Sequence, residues 1–478
     1  MMLKIGLVGT HQLSFPGPKE QAFARAVDGM RRNAADMGFA LEVYEKLVIT
    51  EDEANAARAW AEEKQVDLLL ILEVSYSAGH LVPALYRVRG AKVGIWAIPE
   101  EGRSGPVPFN SFCSVNMYQG INAHYLRDYG IRCKWFYGNA GDDAFRRRLG
   151  VTVRALSALK KLKTSRVALI GGFAPGFNDL YFDERRLFSM LDGIYLNRLH
   201  EYDEIIKLAD RVTDAEVAPY LEQVKSVPRT ANAARLLSFS VRMYLAYRRF
   251  ASEHGYDALA VSCWPKFQDD YRYSVCSVLG MLNDDGIAAA CEGDLMSAVS
   301  MLALQEISGD SAMLMDFSAF DEQDDSILLW HCGPGSVKYC RQNGYTLGEN
   351  YSGMAHEPGK VTGCGVARDM EFDPMPATVF RFSGDLERYL NLSGEFMGKG
   401  KESFCGSRGW MKGLRLEHSP IGALDFANTV LSGGLEHHYP VCRGDYSAEV
   451  SELGAWLGVA PVRAIPYADY LQTGENKR

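Results

Sequence analysis

At 478 residues the chain is too long for one ordinary domain and predicts two or three. Its 47% hydrophobic and 23% charged residues belong to a globular protein with sizeable cores, which excludes disordered and fibrous classes. A formal net charge of −9 without a long basic tract argues against nucleic acid as a partner. No apolar run approaches the roughly 18 residues of a membrane span. The ten cysteines are scattered, with no C-x-x-C pair, and read as reduced thiols. The N-terminal run MMLKIGLVGT enters a strand directly and lacks the h-region of a signal peptide. The expectation is a cytoplasmic protein.

In chain order, the first third alternates apolar strands with amphipathic helices. Leu3–Gly9 reads as a buried parallel strand and 19–37 as a charged helix. Leu41–Tyr44, helix 51–64, Val66–Leu72, Lys92–Ile98 and Cys133–Tyr137 continue the series. This alternation implies βαβ units and a parallel sheet. A helical stretch at 141–164 leads to RVALIGG (166–172), where the rhythm restarts with helices near 215–225 and 231–254 and a strand at 258–263. Beyond about Gly353, short segments such as Thr378–Phe382 alternate with Gly, Pro and Asp turns. A helix at 447–457, a strand at Val462–Ile465 and a polar tail follow. The fold class expected is α/β: two doubly wound parallel-sheet domains (1–150 and 151–310, the second carrying Glu292), then a β-rich C-terminal domain (311–478) carrying Asp316 and His438.

GGFAPG (171–176) lacks the G-x-G-x-x-G spacing, and no phosphate-binding G-x-x-x-x-G-K-[ST] occurs, so the glycines read as a βα loop. The carboxylates carry more. Glu292 follows IAAAC and Asp316 follows AMLM, one strand–helix–strand passage later. Acids are almost never fully buried without a partner, and paired carboxylates at successive strand ends suit a hard cation. Either alone reads as a helix cap or an arginine partner, and Asp294 fits an N-cap before LMSAVSMLAL. His331 ends the run SILLWH, with core, substrate and metal roles open, and His11 near the first strand end is a candidate sugar contact. The adjacent His437 and His438 would point to opposite sides of an extended segment, one into a site and the other into packing or solvent. Two carboxylates and a histidine suit Mn²⁺, tolerate Mg²⁺ or Co²⁺, and match structural zinc poorly. Trp264 reads as an apolar pocket wall or a core residue.

SCWPKF (262–267), AACEGD (289–294), MDF (315–317) and the late GGLEHHYPVCRGD together resemble the L-fucose isomerase / L-arabinose isomerase family. The resemblance implies an aldose–ketose sugar isomerase: a homo-oligomer (trimer or hexamer) using a divalent cation, typically Mn²⁺, held by a glutamate, a second acid and a histidine. Carried onto this sequence, those are Glu292, Asp316 and His438, with the aspartate closer to the fucose type. Glu292 and Asp316 are then also the proton-transfer pair. His331 is similar to a second histidine of the arabinose enzymes, and His437 is left as a substrate contact. The sugar stays open among pentose, 6-deoxyhexose and substituted or sulfonated hexose. Two rival readings are a non-catalytic sugar-binding sensor and a metal-dependent lyase or hydrolase of an acidic sugar. In the latter, Arg408 and Lys412 of GSRGWMKG would hold the anionic group.

Overall fold

The computed structural model describes residues 2–350 and 364–472. The chain forms two compact units, Met1–Lys160 and Lys161–Arg478. The first unit is built on five parallel strands: β1 (Lys4–Thr10), β2 (Ala40–Val43), β3 (Leu68–Glu73), β4 (Lys92–Ala97) and β5 (Cys133–Tyr137). Their order is 2-1-3-4-5, so the winding reverses between β1 and β3. Strands covered by helices on both faces need no polar side, and LLLILE of β3 is buried at all six positions. The helix Glu51–Glu63 opens on a capping box in which Thr50 and Glu53 each accept from the other's backbone N–H.

The second unit restarts the rhythm with β6 (Arg166–Ile170), β7 (Tyr195–His200), β8 (Ala258–Val261) and β9 (Ala288–Ala290), parallel in the order 7-6-8-9. Ten further strands are β10 (Ala312–Asp321), β11 (Ser326–His331), β12 (Tyr345–Glu349), β13 (Val366–Glu371), β14 (Met375–Phe382), β15 (Arg388–Phe396), β16 (Ser407–Leu416), β17 (Ser419–Pro420), β18 (His438–Arg443) and β19 (Ala460–Pro461). Six of them close a ring, β16–β11–β10–β18–β14–β15 and back to β16, antiparallel at every joint. Met313, Met315, Ile327, Leu329, Val379 and Tyr439 fill its core. The helix Leu295–Ser308 packs against both the parallel strands and the barrel. It is apolar nearly all round, as a helix covered on all sides must be.

The architecture is therefore two parallel-sheet α/β regions followed by a β-rich region with a closed barrel. Val462–Ile465 is not the strand expected from its apolar residues. Prolines 461 and 466 flank it and remove ladder donors, and the Ile465 N–H goes to Thr429 Oγ1 instead. The change of texture at Gly353 and the polar tail from 473 onward lie outside the described residues. Among the described residues no helix is long and apolar enough to cross a membrane.

Candidate active site

Glu292 is set by its backbone. β9 ends at Ala290, and Glu292 then takes φ 60°, followed by Gly293 at φ 72°. A left-handed conformation costs a non-glycine residue about 1–3 kcal/mol and persists where the surroundings impose it, commonly at functional sites. Here the Gly293 N–H donates to the Val261 carbonyl at 3.0 Å and the Ala174 N–H to the Glu292 carbonyl at 3.4 Å. A Cβ on residue 293 would lie 2.5 Å from the Gly172 carbonyl oxygen, so the turn admits only glycine. The GGFAPG loop after β6 thus braces the turn that aims Glu292.

Asp316 and His438 are set by strand register. β10 and β18 run antiparallel with Met315 opposite Tyr439 and Asp316 opposite His438. Met315 and Tyr439 face the barrel core, so their neighbours point outward, side by side. Asp316 lies mid-strand, not at a strand end as the alternation of apolar runs suggested. The ladder continues past it because β10 belongs to the barrel and not to the parallel sheet. The two acids consequently come from different sheets.

Both carboxylates approach His438 Nε2, Glu292 Oε2 at 3.4 Å and Asp316 Oδ1 at 3.6 Å. They fall in two overlapping clusters of potential ligands, Cys291, Glu292, His331 and His438 in one and Asp316, His437 and His438 in the other. His438 is fully buried and pairs Nδ1 with Asp294 Oδ2 at 2.9 Å, which turns Nε2 toward the acids. Asp294 also caps the helix Leu295–Ser308 through the Ser297 N–H at 2.9 Å and accepts from Arg381 at 2.6 Å. Arg381 in turn lies 3.2 Å from Glu436. Burial would raise the Asp294 carboxyl, but Arg381 and His438 hold it far below the usual range. Glu292 behaves alike: burial opposes, while hydrogen bonds and charge from His437 and His438 prevail and keep it ionised.

His437 does not turn away from its neighbour. The chain bends at residue 437 before β18 begins, so the alternation of an extended segment does not apply. Its Nδ1–H donates to Asp179 Oδ2 at 2.7 Å and its Nε2 lies 3.3 Å from Glu292 Oε2. His331 accepts the Cys332 N–H at Nδ1 (2.8 Å), which assigns the proton to Nε2, facing Cys291 Sγ at 2.9 Å. Its ring is thereby turned to the cavity wall. The cavity is about 250 Å³ and is lined by Glu292, Asp316 and His331, by the rings of Phe177, Trp264 and Trp330, and by three thiols.

Three expected contacts, His11, Arg408 and Lys412, have partners of their own. His11 belongs to the first unit, buried just past β1, with its N–H on the Val48 carbonyl at 3.1 Å. Arg408 is taken up by Asp369, by Ser403 Oγ at 2.7 Å and by Glu371 at 3.6 Å, and is not among the cavity's lining residues. Lys412 pairs with Asp324 at 3.2 Å. The sequence reading missed Asp294's grip on His438, and also Arg381, Asp179 and Phe177. For Arg381 a signal existed: in TVFRF it alternates with Val379 on a core-facing register, where a charge requires a partner.

His438 Nε2 and Asp316 Oδ1 are buried atoms without a hydrogen-bond partner. Together with ionised Glu292 they form a histidine-and-carboxylate donor set that fits a divalent cation of the Mn²⁺ or Mg²⁺ kind. The carboxylate behind His438 is the usual support of a metal-ligating imidazole.

No family model matches the chain. It is similar to sulfoquinovose isomerase of Priestia aryabhattai, 26% identical over 422 residues that cover 87% of this chain and 89% of the relative. The sulfoquinovose isomerase of Alkalicoccus urumqiensis is 26% identical over 81% of this chain and 84% of its own length. That of Clostridium sp. (strain MSTE9) is 27% identical over 86% and 89%. Similarity of this extent supports an enzyme of the aldose–ketose isomerase class. Among solved structures, a tagatopyranose-bound ABC-transporter solute-binding protein from Agrobacterium vitis covers 65% of this chain and 90% of its own at 13% identity. Its TM-score of 0.18 is too low to bear on the fold or the site.

Proposed function

We propose that the protein interconverts the aldose and ketose forms of a sulfonated hexose of the sulfoquinovose kind, with Glu292 and Asp316 moving the protons. The observation that carries this reading is the convergence of Glu292 and Asp316 on the unpartnered Nε2 of His438 at the wall of an aromatic-lined cavity. The sulfoquinovose isomerases to which the chain is similar supply the substrate class. The donor set is also the one that the resemblance to the L-fucose isomerase type implies.

Isomerisation moves a proton between adjacent carbons through an enediolate. A Mn²⁺ ion bound by Glu292, Asp316 and His438 would act as a Lewis acid on the neighbouring sugar oxygens. One carboxylate takes the proton from C2 and returns it to C1, while the other serves the hydroxyl protons. General acid–base help of this kind contributes about 10²–10⁴-fold. His437, anchored by Asp179, holds Glu292 from the side. Phe177, Trp264 and Trp330 give the sugar apolar walls and exclude water from the reacting carbons.

The test is to incubate chelator-stripped protein with sulfoquinovose, with and without added Mn²⁺, and to follow ketose formation by NMR. Ketose should form with the metal, and Glu292→Gln and Asp316→Asn should each lose about 10²–10⁴-fold in kcat. A metal-loaded protein that binds the sugar without turning it over would favour a sensor and overturn the reading.

A further inference from the structure

We propose that Cys276 and Cys332 are a peroxide-sensitive dithiol in the wall of the sugar cavity, and that their oxidation to a disulfide shuts the enzyme off reversibly. The two Sγ atoms lie 3.1 Å apart although the residues come from different elements. Cys276 opens the helix Cys276–Asp284, and Cys332 follows directly on β11. A disulfide bond is about 2.0 Å long, so about 1 Å of closure suffices, within the reach of side-chain rotation. Both thiols line the same cavity as Glu292 and Asp316, which gives a small oxidant access to groups that the outer surface hides.

The pair is chemically asymmetric. Cys276 sits at a helix N-terminus, where N–H groups stabilise a thiolate, and Ser274 Oγ lies 3.2 Å from its sulfur. Hydrogen bonds from Cys263 and Cys332 outweigh burial and hold its thiol below the usual range. The Cys276 thiolate attacks a peroxide oxygen, the O–O bond breaks, and a sulfenic acid forms with release of hydroxide. The Cys332 thiol then displaces the sulfenic oxygen, forming the S–S bond. In total two thiols and one hydrogen peroxide give one disulfide and two waters.

The route to the active site is short. Cys332 holds His331 through its N–H, and its sulfur lies 3.1 Å from the same Nδ1. His331 contacts Cys291, the residue before Glu292, at 2.9 Å. Drawing Cys332 toward the helix therefore moves the wall that faces the catalytic acid.

The experiment treats reduced, native protein with a small excess of hydrogen peroxide, alkylates the remaining thiols and digests at glutamates without reduction. Fragment mass spectra then locate any bridge. The expected result is a Cys276–Cys332 bridge, two hydrogens lighter than the dithiol, that dithiothreitol removes. Sulfoquinovose isomerisation should fall in proportion to the bridged fraction and return on reduction. Cys276→Ser, which lacks the attacking thiol, should keep its own untreated rate under peroxide; if that variant does not fold, the wild-type map decides. Oxidation of the exposed Cys113 and Cys405 without a bridge would overturn the proposal, and so would a bridged enzyme that turns over at the reduced rate. The activity arm rests on the isomerase reading, while the bridge is read by mass whatever the substrate.

Discussion

Replacing Asp294 by asparagine isolates what its charge does for His438. The change keeps volume and, since Asn caps as well as Asp, keeps the start of the helix Leu295–Ser308. What it removes is the anion between two fully buried basic groups, the Arg381 guanidinium at 2.6 Å and His438 Nδ1 at 2.9 Å. Breaking a buried ion pair costs about 3–5 kcal/mol. Glu436 still stands 3.2 Å from Arg381, so the low end, about 3 kcal/mol, is the expectation for stability. Loss of a carboxylate behind a ligand imidazole lowers metal affinity by about 10–100-fold, or about 1.4–2.7 kcal/mol. Urea unfolding of the metal-free protein reads the first quantity, and calorimetric titration with Mn²⁺ reads the second. A variant that is destabilised yet binds Mn²⁺ as tightly as the wild type would refute the claim that Asp294 orients His438, and would leave it a counter-ion for Arg381 alone.

Three further outcomes follow from the geometry. Gly293→Ala places a Cβ in a left-handed conformation 2.5 Å from the Gly172 oxygen, and should cost more than about 1 kcal/mol in unfolding free energy while reducing kcat. An unchanged kcat would mean that the turn does not aim Glu292. In the first unit, burial raises Glu73 from 4.5 to about 7, and hydrogen bonds from Ser114, Ser77 and Thr10 only partly offset it. Its share of stability is therefore fully present below about pH 4.5 and lost as pH rises through about 7, at most about 3 kcal/mol. Glu73→Gln should accordingly raise the melting midpoint at pH 8 and not at pH 4, and a pH-independent difference would contradict the sign. Arg408→Ala should lower stability by unpairing Asp369 and Glu371 without changing KM. A raised KM would return Arg408 to the sugar site.

The α/β rhythm was legible because strands buried on both faces are written as unbroken apolar runs, as in VDLLLIL and ALAVSC. The proximity of Glu292, Asp316 and His438 was legible from the motifs that carry them. Closure of the barrel was not, since the β11–β16, β10–β18 and β14–β18 joints pair strands distant in sequence, which no local pattern encodes. Nor was the grip of Asp294 on His438, 144 residues away. Asp294 satisfied a cap on local evidence, and nothing in a linear reading says that its second oxygen is engaged. The bend at His437 reversed an expectation based on strand alternation, because alternation holds only inside the ladder. The thiols escaped notice for a similar reason: Cys276 and Cys332 share no motif and meet only once the helix is laid beside β11.

The register of β10 against β18 carries a consequence for biogenesis. The strand bearing His438 joins β10 to β14 and so closes the ring, yet it is made after every other strand of that ring. Long-range joints of this kind form late because the loop entropy precedes the reward. A nascent chain thus carries Glu292 and Asp316 for well over a hundred residues of synthesis before their histidine exists. The finished donor set appears only when the barrel shuts with the correct pairing, because a slip of one residue would turn His438 into the core. A cation held by Glu292, Asp316 and His438 would then stabilise the correctly registered barrel over misregistered ones.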